Sequence, residues 1–332
     1  MQNWQWAGME RNLFRSLYGT TQIELAKILD EGELEIVSSY GEVLLECREK
    51  LKRIYDRYAK DGKLDNAAMS KANRLTALQD DIERILRTKV PTITEYAGKL
   101  TGEMYEASFY RHAYAIDQAG GMSLNWGLVP EVAVEKAVKG SYDMFAKSKL
   151  LSMPQKEAIA AIRKDISTAV IRGDSYPNLA RRIANHIGVD MKKVKAIYGN
   201  RGMAAWTMTV ARTEGQRVIV EGQDAAYQKA VELGCDLEMI WDATLDGRTR
   251  PEHGALDGQP RDEEKGGWDV PSIGIVSAPL HSGVASFDIN CRCRMRSQVK
   301  GFPPSERRTR GDGIVPWIDY DRWLQMQKTA VR

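Results

Sequence analysis

The pattern that most restricts how this chain can fold is a pair of apolar stripes near its start. Val37, Tyr40, Leu44, Cys47, Leu51, Ile54 and Tyr58 recur at steps of three and four. That spacing gathers side chains on one face of an α-helix. Glu42, Glu46, Arg48, Lys50 and Arg53 occupy the opposite face. Gly62 interrupts the run, and Asp65 is suited to N-cap a second helix whose stripe is Ala68, Leu75, Leu78, Ile82 and Ile85. Neither helix can bury its stripe alone, so the two are expected to pack antiparallel across a short turn. Pro91 is expected to end the second helix, with a third running from about Thr92 to Gln118. Tyr105, Phe109, Tyr110 and Tyr114 in that stretch have helical spacing and few charged neighbours, which reads as core, with His112 a satisfied histidine among them.

At 332 residues the chain suggests two domains. Its net charge of +3 is too small to imply nucleic-acid binding by composition, so the placement of charge matters more. No apolar run approaches the roughly 18 residues of a membrane helix. The N-terminus, Met1-Gln-Asn-Trp-Gln-Trp-Ala, lacks a secretory pattern, so a cytoplasmic protein with no membrane partner is expected. Four cysteines make no disulfide framework in so long a chain. Cys47 lies on the apolar stripe, Cys235 follows a helix C-cap at Gly234, and only Cys291 and Cys293 are spaced to act together.

Gly120-Gly121 and the Trp126 to Pro130 segment break the chain, after which short helices are expected at about 130–139, 142–150, 155–172 and 176–187. A long helix from about Arg201 to Leu233 follows, in which Arg217 can pair with Glu214 and Glu221 along one face. Arg212 lies on another face and, if turned inward, needs a carboxylate; Asp246 and Asp257 are the nearest candidates in sequence. Strand character appears only after residue 236, around Ile240 and around Arg292 to Met295.

Three of the four cysteines and two of the four histidines lie between Trp206 and Arg294. His253, Cys291 and Cys293, with Asp257 or alternatively Asp246, are candidate zinc ligands, because zinc favours imidazole and thiolate. The competing reading buries both cysteines in the small sheet and lets His253 cap a turn. Asp246-Gly-Arg-Thr-Arg250 reads as a turn whose Arg248 and Arg250 tie the loop to acidic residues. Trp241 and Trp268 read as the core of the small domain. From Cys293 onward the chain turns basic: Arg292, Arg294, Arg296, Lys300, Arg307, Arg308 and Arg310 face only Glu306 in 292–310. With Pro303-Pro304 and the glycines at 311 and 313 this reads as an exposed arm, either solvated or in weak, non-specific contact with DNA through Arg294, Arg296, Lys300, Arg307, Arg308 and Arg310. A short helix is expected over Trp317 to Gln327.

The ordered series Ala211-Arg-Thr-Glu214, Trp241, Asp246, Arg248, Arg250, His253, Leu256-Asp-Gly258, Pro279 and Asn290-Cys-Arg-Cys293 resembles the Mu F-like minor head protein (head morphogenesis) domain of tailed bacteriophages. The resemblance implies a minor head protein that acts by binding: associated with the portal protein, in reach of major capsid or scaffolding protein, and carried inside the head of the virion. It implies a part in procapsid assembly, genome packaging or DNA delivery, and no enzymatic activity. Arg212, Glu214, Trp241, Asp246, Arg248 and Arg250 then have structural roles. The alternative is a metal-dependent nuclease or toxin-like effector enzyme carried in the head, with His253 activating water. An early Arg and a late Glu also occur in mono-ADP-ribosyltransferases, but the Ser-Thr-Ser and Glu-x-Glu elements of that family are absent at usable positions. The expected fold is mainly α with a C-terminal α+β domain: helical hairpins over 1–130, a short-helix connector over 131–199, the head morphogenesis domain over 200–297, and a basic tail over 298–332.

Overall fold

A computed structural model describes residues 11–120, 123–137, 149–190, 195–196, 202–300, 306–309, 313–319, 322 and 325. Helices α1 (Arg11–Tyr58), α2 (Asn66–Ser70), α3 (Arg74–Gly120), α4 (Lys149–Arg172), α5 (Tyr176–Ile187) and α6 (Met203–Glu232) dominate. The strands are β1 (Ala59–Lys60), β2 (Lys63–Leu64), β3 (Val189–Asp190), β4 (Lys195–Ala196), β5 (Leu237–Asp242), β6 (Trp268–Val270), β7 (Gly274–Val276), β8 (Arg294–Val299), β9 (Glu306–Thr309) and β10 (Gly313–Pro316). Two short helices, α7 (Pro251–Leu256) and α8 (Ala285–Asp288), lie among the later strands. The protein is thus mainly α with a C-terminal α+β region, as its sequence pattern implies.

The break at Gly62 is a tight hairpin. Asp61 and Gly62 both have positive φ, 51° and 74°, between the antiparallel pair β1 and β2. A two-residue loop needs that handedness to follow the strand twist, and Asp-Gly supplies it. Asp65 caps α2 as expected, accepting from the backbone N–H of Ala67 and Ala68 at 3.3 and 3.2 Å. Pro91 does not end a helix: it lies inside α3. Its missing N–H and ring clash cost about 3 kcal/mol in a helix interior. Val90, Ile93 and Ala97 beside it are all buried, so the helix is held by packing on both sides of the proline. The expected start of a helix near residue 155 moves back to Lys149, and most of the stretch 142–150 lies outside the described residues.

Two compact units are discontinuous in sequence. One draws on Leu29–Thr101 and Val138–Arg212; the other draws on Met1–Ile28, Gly102–Ala137 and Thr213–Arg332. Composition shifts mark contiguous segments, and long helices that contribute to both units cannot be divided that way. In the first unit, Tyr40, Leu44 and Leu51 of α1 share a core with Leu78, Ile82 and Leu86 of α3, Ile162 and Ile166 of α4, and Leu179 and Ile183 of α5. Lys50 pairs with Asp81 and Glu46 with Lys89, so α1 and α3 run antiparallel there. Helices α4 and α5, in the stretch read from sequence as a short-helix connector, are core elements of this unit.

In the second unit, Val220, Tyr227 and Ala230 of α6 pack with Leu237, Met239 and Trp241 of β5, and with Trp268, Phe287 and Met295. β5 pairs antiparallel with β8 in a register from Leu237↔Val299 to Asp242↔Arg294. Its other edge is covered by residues 258–261: Gly258 N–H donates to the Trp241 carbonyl at 2.9 Å, and Arg261 N–H to the Met239 carbonyl at 2.7 Å. A backbone ladder on both sides leaves β5 no open edge. Helix α3 approaches α6 closely enough that a Cβ on Gly222 would stand 2.5 Å from the Tyr105 carbonyl oxygen. His112 is buried in this unit, its Nε2 3.1 Å from the Gln22 amide nitrogen and its Nδ1 2.7 Å from the Ser108 carbonyl.

The basic segment is not a free arm from residue 298. β8 continues to Val299, and Lys300 N–H donates to the Asp236 carbonyl at 3.2 Å. Arg294 and Arg296 alternate with buried Met295 and Ser297, the period-two pattern of a half-buried strand. β9 and β10 then form an antiparallel hairpin, and the Arg296 guanidinium stacks 4.1 Å over the Trp317 ring. Arg307 and Arg308 lie on β9, while Arg310, Pro303-Pro304 and most of the expected Trp317–Gln327 helix lie outside the described residues.

Candidate functional site

The Arg-Thr-Glu signature lies on α6, and its three residues face three different partners. Arg212 forms a bidentate pair with Glu33 of α1, with Nε 2.7 Å from one carboxylate oxygen, within the first unit. The expected partners Asp246 and Asp257 are engaged elsewhere. A partner 179 residues away is invisible to sequence proximity. Glu214 is fully buried and meets Arg217 at 2.8 Å, while Arg217 also meets Glu221 at 2.8 Å, the ladder expected from their spacing. Thr213 accepts the backbone N–H of Asn290 at 3.2 Å, joining this signature to the Asn-Cys-Arg-Cys turn. That link carries no sequence signal.

Around that turn three donor atoms converge. His253 Nδ1 lies 3.2 Å from Cys293 Sγ and 3.4 Å from Cys291 Sγ, and all three ligand atoms fall within 4.8 Å of one another. The three residues are 2%, 4% and 3% exposed, so the cluster is closed to solvent. Its geometry follows from local constraints. Asn290 takes a left-handed conformation, φ 57°, and turns the chain before β8 begins. Arg292, between the cysteines, is held away by a bidentate pair with Asp246, one contact at 2.8 Å. Its carbonyl accepts the Thr244 hydroxyl at 2.9 Å. With Arg292 pinned to Asp246, its two neighbours turn to His253. Pro251 supplies a first-turn proline for α7, the helix that carries His253.

The two thiols differ. Hydrogen bonding from Cys293, then from His253, holds the Cys291 thiol down at about 5 against the effect of burial. The Cys293 thiol is pushed well above its ordinary value, first by its bond to Cys291 and then by burial. Cys291 is therefore the more acidic thiol of the two. Two buried sulfurs next to an imidazole are a good soft-metal donor set and a poor site for chemistry on a large substrate, which has no way in.

Neither candidate carboxylate belongs to the cluster. Asp257 accepts the Ala243 N–H at 2.8 Å. Asp246 is occupied by Arg292 and the Arg248 N–H, and the Arg292 hydrogen bonds lower its carboxyl to about 2. Arg250 donates to the Ile289 carbonyl at 2.7 Å and so fixes the α8 loop, whereas the Arg248 side chain is 69% exposed, 3.6 Å from Asp246. Trp241 and Trp268 are core residues in edge-to-face contact at 5.3 Å, and Trp241 stands edge-on to His253 at 5.9 Å. The nearer ring to His253 is Phe287, whose centroid is 4.0 Å away. Sequence reasoning missed Phe287 and Thr213 as parts of this site.

The sequence model of the Phage Mu protein F like protein family matches residues 160–296. The chain carries a Mu F-like segment. It begins within α4, about 40 residues before the domain expected from residue 200, and so takes in part of the stretch read as a connector. Over 317 residues the chain is 27% identical to the minor head protein GP7 of Bacillus phage SPP1, covering 93% of this chain and 98% of that protein. Over 295 residues it is 25% identical to the NAD(+)--arginine ADP-ribosyltransferase EFV of Enterococcus faecalis, covering 88% of this chain but only 57% of that protein. No solved structure matches. The Mu F-like segment contains the Arg-Thr-Glu signature, the whole His253–Cys291–Cys293 cluster and the first half of β8.

Proposed function

We propose that this chain is a minor head protein of a tailed bacteriophage, a component of the particle that serves head morphogenesis by binding. The observation that carries the reading is the reach of the similarity to GP7. Coverage of 93% of one chain and 98% of the other leaves both the helical units and the Mu F-like segment with counterparts. The partner we propose is the portal protein, with major capsid or scaffolding protein as a further contact and DNA touched only weakly. Lys300 is exposed and available for a phosphate; Arg296 is engaged by Trp317 and less so. No described helix is long and apolar enough to cross a membrane.

The second relative raises an enzymatic reading, which we propose does not extend to this chain. This chain spans only 57% of that protein's length, so the activity in its name is not carried over. Three experiments test the proposal. Tagged full-length protein is co-expressed with the portal and major capsid proteins of the same phage; it is expected to co-purify with the portal and to enter heads. Loss of the gene is expected to reduce infectious particles. Normal heads and normal titre without it would refute the role. NAD-consuming, nuclease and protease assays with divalent metals are expected to show no turnover above a His253→Ala control; turnover lost in that variant would promote the enzyme reading.

A further inference from the structure

We propose that His253, Cys291 and Cys293 bind a zinc ion that clips α7 to the start of β8. The fit rests on atom type, distance and charge. Zinc takes thiolate at about 2.3 Å and imidazole at about 2.0–2.1 Å in a tetrahedron, which sets S···N edges of about 3.6 Å. The observed S···N edges are 3.2 and 3.4 Å, so the donors need only open outward by a few tenths of an ångström. Two thiolates and a neutral imidazole cancel a divalent charge, which makes the centre neutral as burial demands. Sulfur donors exclude magnesium and calcium, which select oxygen.

Hydrogen bonding alone leaves this cluster incompletely explained. His253 Nε2 is buried with no hydrogen-bond partner among the described residues. Ligation would use Nδ1, the nitrogen that already faces both sulfurs. Arg292 held by Asp246, Arg250 held on the Ile289 carbonyl, and Thr213 held on Asn290 fix the outer shell that aims the two sulfurs. Asp257 and Asp246 are occupied elsewhere and do not supply the fourth corner.

The test uses the full chain, expressed with added zinc and purified without chelator. Elemental analysis is expected to find about one zinc per chain, falling about tenfold or more in His253→Ala and Cys293→Ser. Cys235→Ser, a buried cysteine outside the trio, is expected to keep the metal. Because the ligand variants are open to misfolding, the wild-type chain stripped of zinc is also titrated with cobalt(II). Thiolate-to-cobalt charge transfer and intense visible bands of tetrahedral cobalt are expected. Three results would overturn the proposal: zinc below about a tenth of an equivalent with no thiolate–cobalt band; full zinc retained in both ligand variants; or a Cys291–Cys293 disulfide in protein alkylated and purified without oxygen.

Discussion

Acid is expected to weaken the second unit through His112. This imidazole is buried, its Nδ1 hydrogen directed to the Ser108 carbonyl and its Nε2 accepting from Gln22, an arrangement that suits the neutral ring. Burial, with Arg294 adding to it, lowers its pKa to about 4 from an ordinary 6.5. The unfolded chain therefore takes up a proton that the folded chain refuses. Stability from this group is whole above pH 6.5 and is lost as the pH falls through about 4. A shift of about 2.5 units at 1.36 kcal/mol each gives about 3 kcal/mol across that window. The comparison is between wild type and His112→Asn, which removes the titration. Urea unfolding is followed by tryptophan fluorescence, since Trp241 and Trp268 lie in the same unit. At pH 7 the variant is expected to be less stable by about 1–3 kcal/mol for its lost hydrogen bonds. The wild-type advantage should then shrink by about 3 kcal/mol at pH 4. An NMR titration of the folded protein should place the His112 midpoint well below that of an ordinary histidine. A midpoint near 6.5, or an advantage that stays flat with pH, would refute the reasoning.

Removing the Arg212 side chain, as Arg212→Ala, leaves Glu33 largely buried without its bidentate partner and should cost about 3 kcal/mol in thermal or urea unfolding; adding Glu33→Gln should recover part of it. The same substitution should have opposite signs at two helical glycines. Gly222→Ala drives a methyl into the Tyr105 carbonyl and should destabilise by about 1–3 kcal/mol, while Gly19→Ala meets nothing within 4 Å and should raise the melting temperature. Asp246, its carboxyl lowered to about 2 by Arg292, contributes stability that is present above pH 3.8 and lost as the pH falls through about 2. Partial exposure of the pair limits the effect to about 1 kcal/mol, and Asp246→Asn should flatten that acid limb in a pH series of melting curves.

Local pattern made the helices legible, and long-range pairing hid most of the rest. The stripes from Val37 to Tyr58 and from Leu75 to Ile85 announced α1 and α3 because period and burial coincide. Arg217 found Glu214 and Glu221 because one helix carries all three. His253, Cys291 and Cys293 were marked by residue type alone. Pro91 misled because propensity ignores the packing of Val90, Ile93 and Ala97 around it. Arg212 misled because Glu33 lies on another helix far away in sequence. Arg294 and Arg296 looked like an arm because a charge run and a half-buried strand differ only in the residues between, here Met295 and Ser297. The division into units was hidden for a related reason, since helices such as α6 change unit between Arg212 and Thr213 without any change of composition.

The unit drawn from Leu29–Thr101 and Val138–Arg212 has every strand and helix of its core in hand well before synthesis ends, whereas Tyr18 donates its hydroxyl to the Met295 carbonyl. On the ribosome the start of α1 therefore waits for a partner made 277 residues later. At roughly 5–20 residues per second that is a delay of about 14–55 seconds. During that interval the start of α1 can meet α3, as Gln22 meets His112, but Tyr18 still lacks its acceptor on β8. The unit closed by β8 is thus the last to form in each newly made copy, and it is the one that holds the cysteine pair.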